Sequence, residues 1–183
     1  MTESSPQGRV TPWASLLDFV DLPEGCMVLC VGDDPPGMLQ VVRRRGYRAV
    51  GLLEEATAER PAGEGTFVLG RPQALPVRDG AFGAILCAGV LHRQDNPEAA
   101  LEELRRALRP GGLLVIHEPL AQEGSRGGYL SAQELCAHLA GEQLVVMAHR
   151  QEPAVSGIPV ATWVLQVPVS LPEKTRTFIE EDR

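Results

Sequence analysis

Reactive side chains cluster where apolar runs end. Asp33 and Asp34 follow the run from Cys26 to Gly32, His92 follows Ala84 to Ala88, and His117-Glu118 follows Leu113 to Ile116. In an open α/β sheet, residues just past the carboxyl ends of strands face a ligand. His92 or His117 can take a proton from a nucleophile there, which makes both candidate catalytic groups. The bland alternative for His92 is a loop side chain that comes with the fold. His117 and Glu118 with Asp33 or Asp34 would make a metal cluster, but their spacing matches no ligand motif, so no metal is expected. His138 and His149 fall on late helix and strand surfaces, where no role is expected. Trp163, in an apolar run, belongs to the core rather than to a stacking site.

What these groups can act on depends on the bend after the first strand, Val28-Leu29-Cys30-Val31-Gly32-Asp33-Asp34-Pro35-Pro36-Gly37. The pattern is strand, turn, helix, with Met38, Leu39, Val41 and Val42 as the apolar members of the helix. A loop that cradles a nucleotide-type ligand needs glycine here, because only a residue without Cβ lets backbone and ligand approach closely. Gly32 stands alone until Gly37. Asp33, Asp34 and Pro35 instead spell a helix start: an aspartate N-cap, then proline with φ preset at the first helical position. The expectation is a well-capped helix whose donors are already taken. The G-x-G-x-x-G turn of a nicotinamide-dependent dehydrogenase is absent, which removes that reading.

The elements that must position these groups alternate along the chain. Strands are expected at Cys26–Val31, Arg48–Leu53, Thr66–Leu69, Ala84–Ala88, Leu113–Ile116, Gln143–Ala148 and Val160–Val167, the fourth an unbroken apolar run of the kind buried on both faces of a parallel sheet. A helix is expected at Pro97–Leu108, with Asn96 as cap, a Glu102–Arg106 pair along it and Pro110-Gly111-Gly112 ending it. Ser131-Ala132-Gln133-Glu134 is a capping box that opens a further helix through Ala140. A weak helix and a turn at Ala62-Gly63-Glu64-Gly65 fill the second crossover. Thr11–Val20 reads as a short amphipathic helix packed across the sheet edge. The basic run Arg43-Arg44-Arg45 with Arg48 suits the solvated C-terminal end of the first crossover helix.

With 183 residues, 44% of them hydrophobic, one α/β domain can close around a core. The boundaries read as a helical segment at 1–21, the domain at 22–167 and a polar tail at 168–183. A net charge of −7 argues against a surface that tracks nucleic-acid phosphates. No segment reaches the length of a membrane span and the first twenty residues lack a signal pattern, so a cytoplasmic protein is expected. Cys26, Cys30, Cys87 and Cys136 form no C-x-x-C pair and read as buried free thiols.

Four segments together carry a family resemblance: Val28 to Gly32, Leu75-Pro76-Val77-Arg78-Asp79-Gly80-Ala81-Phe82, Val90-Leu91-His92, and Leu108-Arg109-Pro110-Gly111-Gly112-Leu113-Leu114-Val115-Ile116. With seven strands and a late strand pair after the fifth, the chain from about Leu22 to Val167 resembles the class I S-adenosylmethionine-dependent methyltransferases, in particular the small-molecule, quinone-biosynthesis-like branch. The resemblance implies a Rossmann-like α/β fold: a seven-stranded, mostly parallel sheet with helices on both faces. It implies S-adenosylmethionine as cofactor, held around Gly32, Asp33, Asp34, Glu54, Arg71 and Pro72.

Several positions depart from the family pattern. The acid that ends the first strand falls on Cys30, and two of three loop glycines fall on Asp34 and Pro36. The acid that holds the ribose falls on Leu53, with Glu54 and Glu55 one and two steps later; a one-residue offset turns a strand side chain to the opposite face unless the strand end bulges. The aspartate beside the adenine falls on Arg71, and the one before the fourth strand on Gly83. Each lost charged hydrogen bond costs about 1.5 to 3 kcal/mol, so two or three shift affinity by several powers of ten. The expectation is a methyltransferase-fold protein that acts by binding, with a protein partner or a second copy over a thinly covered cleft. The alternative is an active methyltransferase acting on a small molecule with the donor in an atypical pose. Neither nucleic acid nor membrane is expected as a partner.

Overall fold

The computed structural model describes residues 12–32, 34–54, 65–121, 128–141, 143–153 and 158–169. Seven strands form one sheet: β1 (Met27–Gly32), β2 (Arg48–Leu53), β3 (Thr66–Leu69), β4 (Phe82–Ala88), β5 (Leu108–Pro119), β6 (Val145–Glu152) and β7 (Val160–Gln166). Their order is β3-β2-β1-β4-β5-β7-β6. The first five run parallel, and β7 is antiparallel to both β5 and β6.

Burial explains that order. Every residue of β4 is buried, so this strand sits between β1 and β5 with helices above and below. On one face, Leu101 and Leu104 of α3 (Pro97–Ala107) and Leu135 of α4 (Ala132–Gly141) pack against Leu29, Ile85, Ile116 and Trp163. On the other, Leu16 of α1 (Pro12–Phe19) and Met38, Leu39 and Val42 of α2 (Pro35–Arg44) pack against Cys30, Leu86, Val115 and Val164. Alternate residues of each strand go to opposite layers, as the pleat requires.

Local signals survive folding. Asn96 caps α3 by accepting from the Ala99 N–H, and Ser131 and Glu134 bond reciprocally at the start of α4. β2 and β3 span the expected residues. The weak helix and most of the turn expected at 62–65 lie outside the described residues.

Elsewhere tertiary pairing overrides the pattern. β5 starts at Leu108 rather than Leu113, because Leu108 already pairs with Phe82 and Pro110-Gly111-Gly112 forms an irregularity inside the strand instead of a stop before it. Gly111 makes this passable with φ near 75°. β6 runs to Glu152 rather than Ala148, held by pairing with β7 as far as Val160. Arg106 pairs with Glu103, not Glu102, and also reaches Asp79 and the Leu75 and Val77 carbonyls; the guanidinium fastens loop 75–79 to α3. Arg48 opens β2, while Arg45 pairs with Asp18 of α1.

The first helix also lies elsewhere than expected. Instead of crossing the sheet edge, α1 packs on the face that carries α2, with Trp13 edge-on to His117 and Phe19 beneath the Arg150 guanidinium at 4.5 Å. Since α2 packs on β1 and β2, the β5-β7-β6 half of that face needs this second cover. In the core below α3, Leu104 is fully buried. Leu104→Ala is expected to lower unfolding free energy by about 2 to 5 kcal/mol, read as a reduced urea midpoint with an unchanged slope.

Candidate functional site

One half of the cleft forms around the carboxyl ends of β1, β2 and β3. A Cβ on Gly32 would lie 2.4 Å from the Ala88 carbonyl oxygen, so glycine lets the ends of β1 and β4 close on each other. Asp34 is the N-cap of α2: its Oδ1 accepts the Gly37 N–H at 2.9 Å. The carboxylate lies so near the first turn that a Cβ on Gly37 would sit 1.9 Å from Oδ2. Gly37 therefore makes room for the chain's own carboxylate.

The surrounding contacts are unlike those of an acid-lined nucleoside seat. Cys30 is fully buried, and burial pushes its thiol up to about 12, so the position carries no charge near neutrality. Leu53 ends β2 in register with Leu69, and the half-buried Glu54 follows the last paired residue. Arg71 is exposed and bridges to Ala74, with Pro72 buried beside it. Gly32 closes β1, Asp34 and Glu54 follow the ends of β1 and β2, and Arg71 and Pro72 follow β3. Asp33 and Glu55 lie outside the described residues.

The other half is built on β4 and β5. Glu118 is 1% exposed, and its Oε1 accepts the N–H groups of Val90 at 2.6 Å and Leu91 at 3.0 Å. Its Oε2 lies 2.8 Å from His92 Nδ1 and 3.5 Å from the His92 N–H. Because backbone donors converge on it, Glu118 acts as acceptor, and the hydrogen in the contact with His92 comes from Nδ1. The imidazole, 13% exposed, is thereby fixed in orientation and lies tilted against the Tyr129 ring, centroids 5.0 Å apart.

The sequence grouped Glu118 with its neighbour His117; the structure separates them. Consecutive residues of β5 point to opposite faces. His117 turns toward α1, where its Nδ1 meets Thr162 Oγ1 at 2.9 Å and its ring meets Trp13. Burial lowers its pKa, opposed by the Glu118 and Glu152 carboxylates. His92 and His117 therefore do not share a site; strand alternation alone could have separated His117 from Glu118, but not joined Glu118 to His92. Among the described residues no group of three or more His, Cys, Asp or Glu side chains is arranged to hold a metal ion.

The remaining candidates have structural partners. His138 pairs with Glu98 across α4 and α3, and His149 stacks on Trp163, which is 3% exposed. Cys26, Cys30 and Cys87 are buried as expected, but Cys136 is exposed, on the outer side of α4 from the buried Leu135 and Leu139.

A seven-stranded mixed sheet of this order, with candidate ligand groups gathered at the carboxyl ends of the parallel strands, defines a class I Rossmann-like methyltransferase fold. A methyltransferase-domain family profile matches residues 29–116. The demethylmenaquinone methyltransferase of Renibacterium salmoninarum is 34% identical over 70 residues, covering 38% of this chain and 29% of that protein. Among solved structures, the [4+2]-cyclase SpnF superposes with a TM-score of 0.72 at 16% identity, covering 86% of this chain and 80% of that one. A Haloferax volcanii methyltransferase, solved in complex with the Trm112 methyltransferase activator, gives 0.69 at 19% identity, covering 85% and 90%. Residues 29–116 thus resemble a methyltransferase domain, and the chain has the class I methyltransferase fold. It spans less than half the length of the curated relatives it matches. Among the described residues no helix is long and apolar enough to cross a membrane.

The His117 environment yields a pH prediction. Its pKa is depressed on folding, so the unfolded chain binds the proton more readily; stability is complete above the unfolded value, about 6.5, and falls as pH drops below it. The slope from this group reaches at most about 1.4 kcal/mol per pH unit. Urea titrations across mildly acidic pH are expected to show a shallower decline for His117→Gln than for the unaltered protein.

Proposed function

We propose that this chain is a methyltransferase-fold binding protein whose seat for the methyl donor is closed. The observation that carries the reading is the Asp34 carboxylate, bonded to the Gly37 N–H at the first turn of α2. S-adenosylmethionine presents a carboxylate of its own. In the ordinary pose, it would meet a fixed negative charge and a filled concavity at the bend.

Three further features point the same way. The buried, uncharged Cys30 thiol offers no anion where the family places one, Leu53 offers no acceptor to the ribose, and Arg71 stands where the family has an aspartate. The residues of this cleft do not fit the donor, so no methyl-transfer step is drawn through it. Function then lies in binding: a different small ligand, a protein partner, or a second copy of this chain. The Haloferax neighbour, solved with its activator, and SpnF, described as a cyclase, show that this fold accommodates partners and other chemistry.

A second reading, methyl transfer to a small molecule with the donor in a shifted pose, draws on one observation. Glu118 holds the His92 ring just past the end of β4.

Thermal unfolding with S-adenosylmethionine or S-adenosylhomocysteine separates the two. No stabilisation is expected; a ligand at a hundredfold over its Kd would add about 2.7 kcal/mol, and a saturable rise in Tm would refute the closed seat. The triple variant Asp34→Gly, Pro36→Gly, Leu53→Asp is expected to acquire a saturable response. Its failure to do so would show that the closure has another cause.

A further inference from the structure

We propose that residues 177–183 dock as an added strand on the outer edge of β6, parallel to it and within the same molecule. The argument begins with the edge. β6 ends the sheet on the side away from β3 and pairs, among the described residues, with β7 alone. A strand so placed offers a row of unpartnered N–H and C=O groups, which natural sheets blunt with charged side chains or proline. The entry to β6 carries neither. Val145, Val146 and Met147 stand in succession at 50%, 57% and 56% exposure. The β7 ladder skips Met147, an irregularity that bends the strand but leaves the apolar triple uncovered.

What covers this edge follows from where the described chain stops. Gln166 lies in one row between Leu113 of β5 and Val145 of β6. Val167 then bonds with Gly111 and Gly112, and Val169 lies beside Gly111, so the chain leaves at the end of the sheet where β6 begins. From β5 to a new strand outside β6 is three strand spacings, about 14 Å. Residues 170–176, fully extended, span up to about 25 Å and so reach with slack.

Side-chain order sets the direction. β6 reads apolar at Val145, Val146 and Met147, basic at His149 and Arg150, and acidic at Glu152; residues 177–183 read apolar at Phe178 and Ile179, acidic from Glu180 to Asp182, and basic at Arg183. The two patterns complement each other. Laid parallel with Thr177 beside Val145, Phe178 and Ile179 meet Val146 and Met147, Glu181 and Asp182 meet His149 and Arg150, and Arg183 comes near Glu152. Laid antiparallel over the same apolar residues, Arg176 falls beside His149 and Glu180 beside Val145. Arg150, already paired with Glu152 and lying over Phe19, keeps 30% of its side chain exposed for this contact. Thr177, Phe178 and Ile179 are also residue types that fit a pleated, half-buried surface. The edge is remote from the bend after β1, so this inference goes beyond the closed donor seat and does not depend on it.

Hydrogen exchange followed by NMR on the full chain tests it. The β6 N–H groups that point away from β7 would be bonded to the added strand, and they are expected to exchange at least about tenfold more slowly than in the variant Phe178→Asp, Ile179→Asp. Amides of β4, buried along its whole length, are expected to keep their rates and report that the variant is folded. In the variant Glu181→Lys, Asp182→Lys, the loss of protection is expected chiefly at residues 149–152; protection unchanged there would overturn the parallel placement. Light scattering is expected to give a monomer. Equal rates in the full chain and the apolar variant would overturn the proposal, because fast exchange in both leaves the edge open and slow exchange in both assigns it to another segment. Protection that grows with protein concentration, alongside a dimer mass, would give the edge to a second copy and overturn it as well.

Discussion

The Asp34 carboxylate is the contact on which the functional account turns. A helix leaves its first N–H groups without partners, and those of α2 lie at the bend that follows β1. In this chain the partner is supplied from three residues upstream, by a side chain that Gly37 is small enough to admit. A local stabilising device, of about 1 kcal/mol for an aspartate cap, thereby occupies the first turn of α2. The neighbouring positions agree with it, since neither the buried Cys30 thiol nor Leu53 offers a compensating anionic contact.

The two halves of the cleft are built in opposite senses. On the β1 side, a carboxylate satisfies its own helix. Across β4, polar recognition is concentrated: one buried carboxylate takes two backbone donors and a histidine. Both halves rest on the same rigid frame, because β4 is buried along its whole length and pairs with β1 and β5 on either side. That frame holds an aspartate-capped bend on one side and a carboxylate-held histidine on the other, the arrangement from which the proposed binding role is argued.

What was legible in the sequence was local. The Asp34 cap, the Asn96 cap and the Ser131–Glu134 box each span three residues, and each formed as their residue types dictate. The continuous run of β4 declared a strand buried on both faces. Less legible were contacts between distant segments. Glu118 meets Val90, Leu91 and His92 across 26 to 28 residues, so the sequence linked it to its adjacent neighbour His117 instead. The strand irregularity at Pro110 to Gly112 read as a boundary because its pairing partner, Phe82, is equally remote. The docking of α1 on the sheet face depended on which half α2 left open, a question that only assembly answers.

The amide resonance of Gly37 reports most directly on the central claim, since its hydrogen is the one bonded to Asp34. Followed while S-adenosylmethionine is added, it is predicted to stay in place up to millimolar ligand, with slow hydrogen exchange throughout. A saturable displacement of that resonance, with the bond to Asp34 lost, would contradict the account.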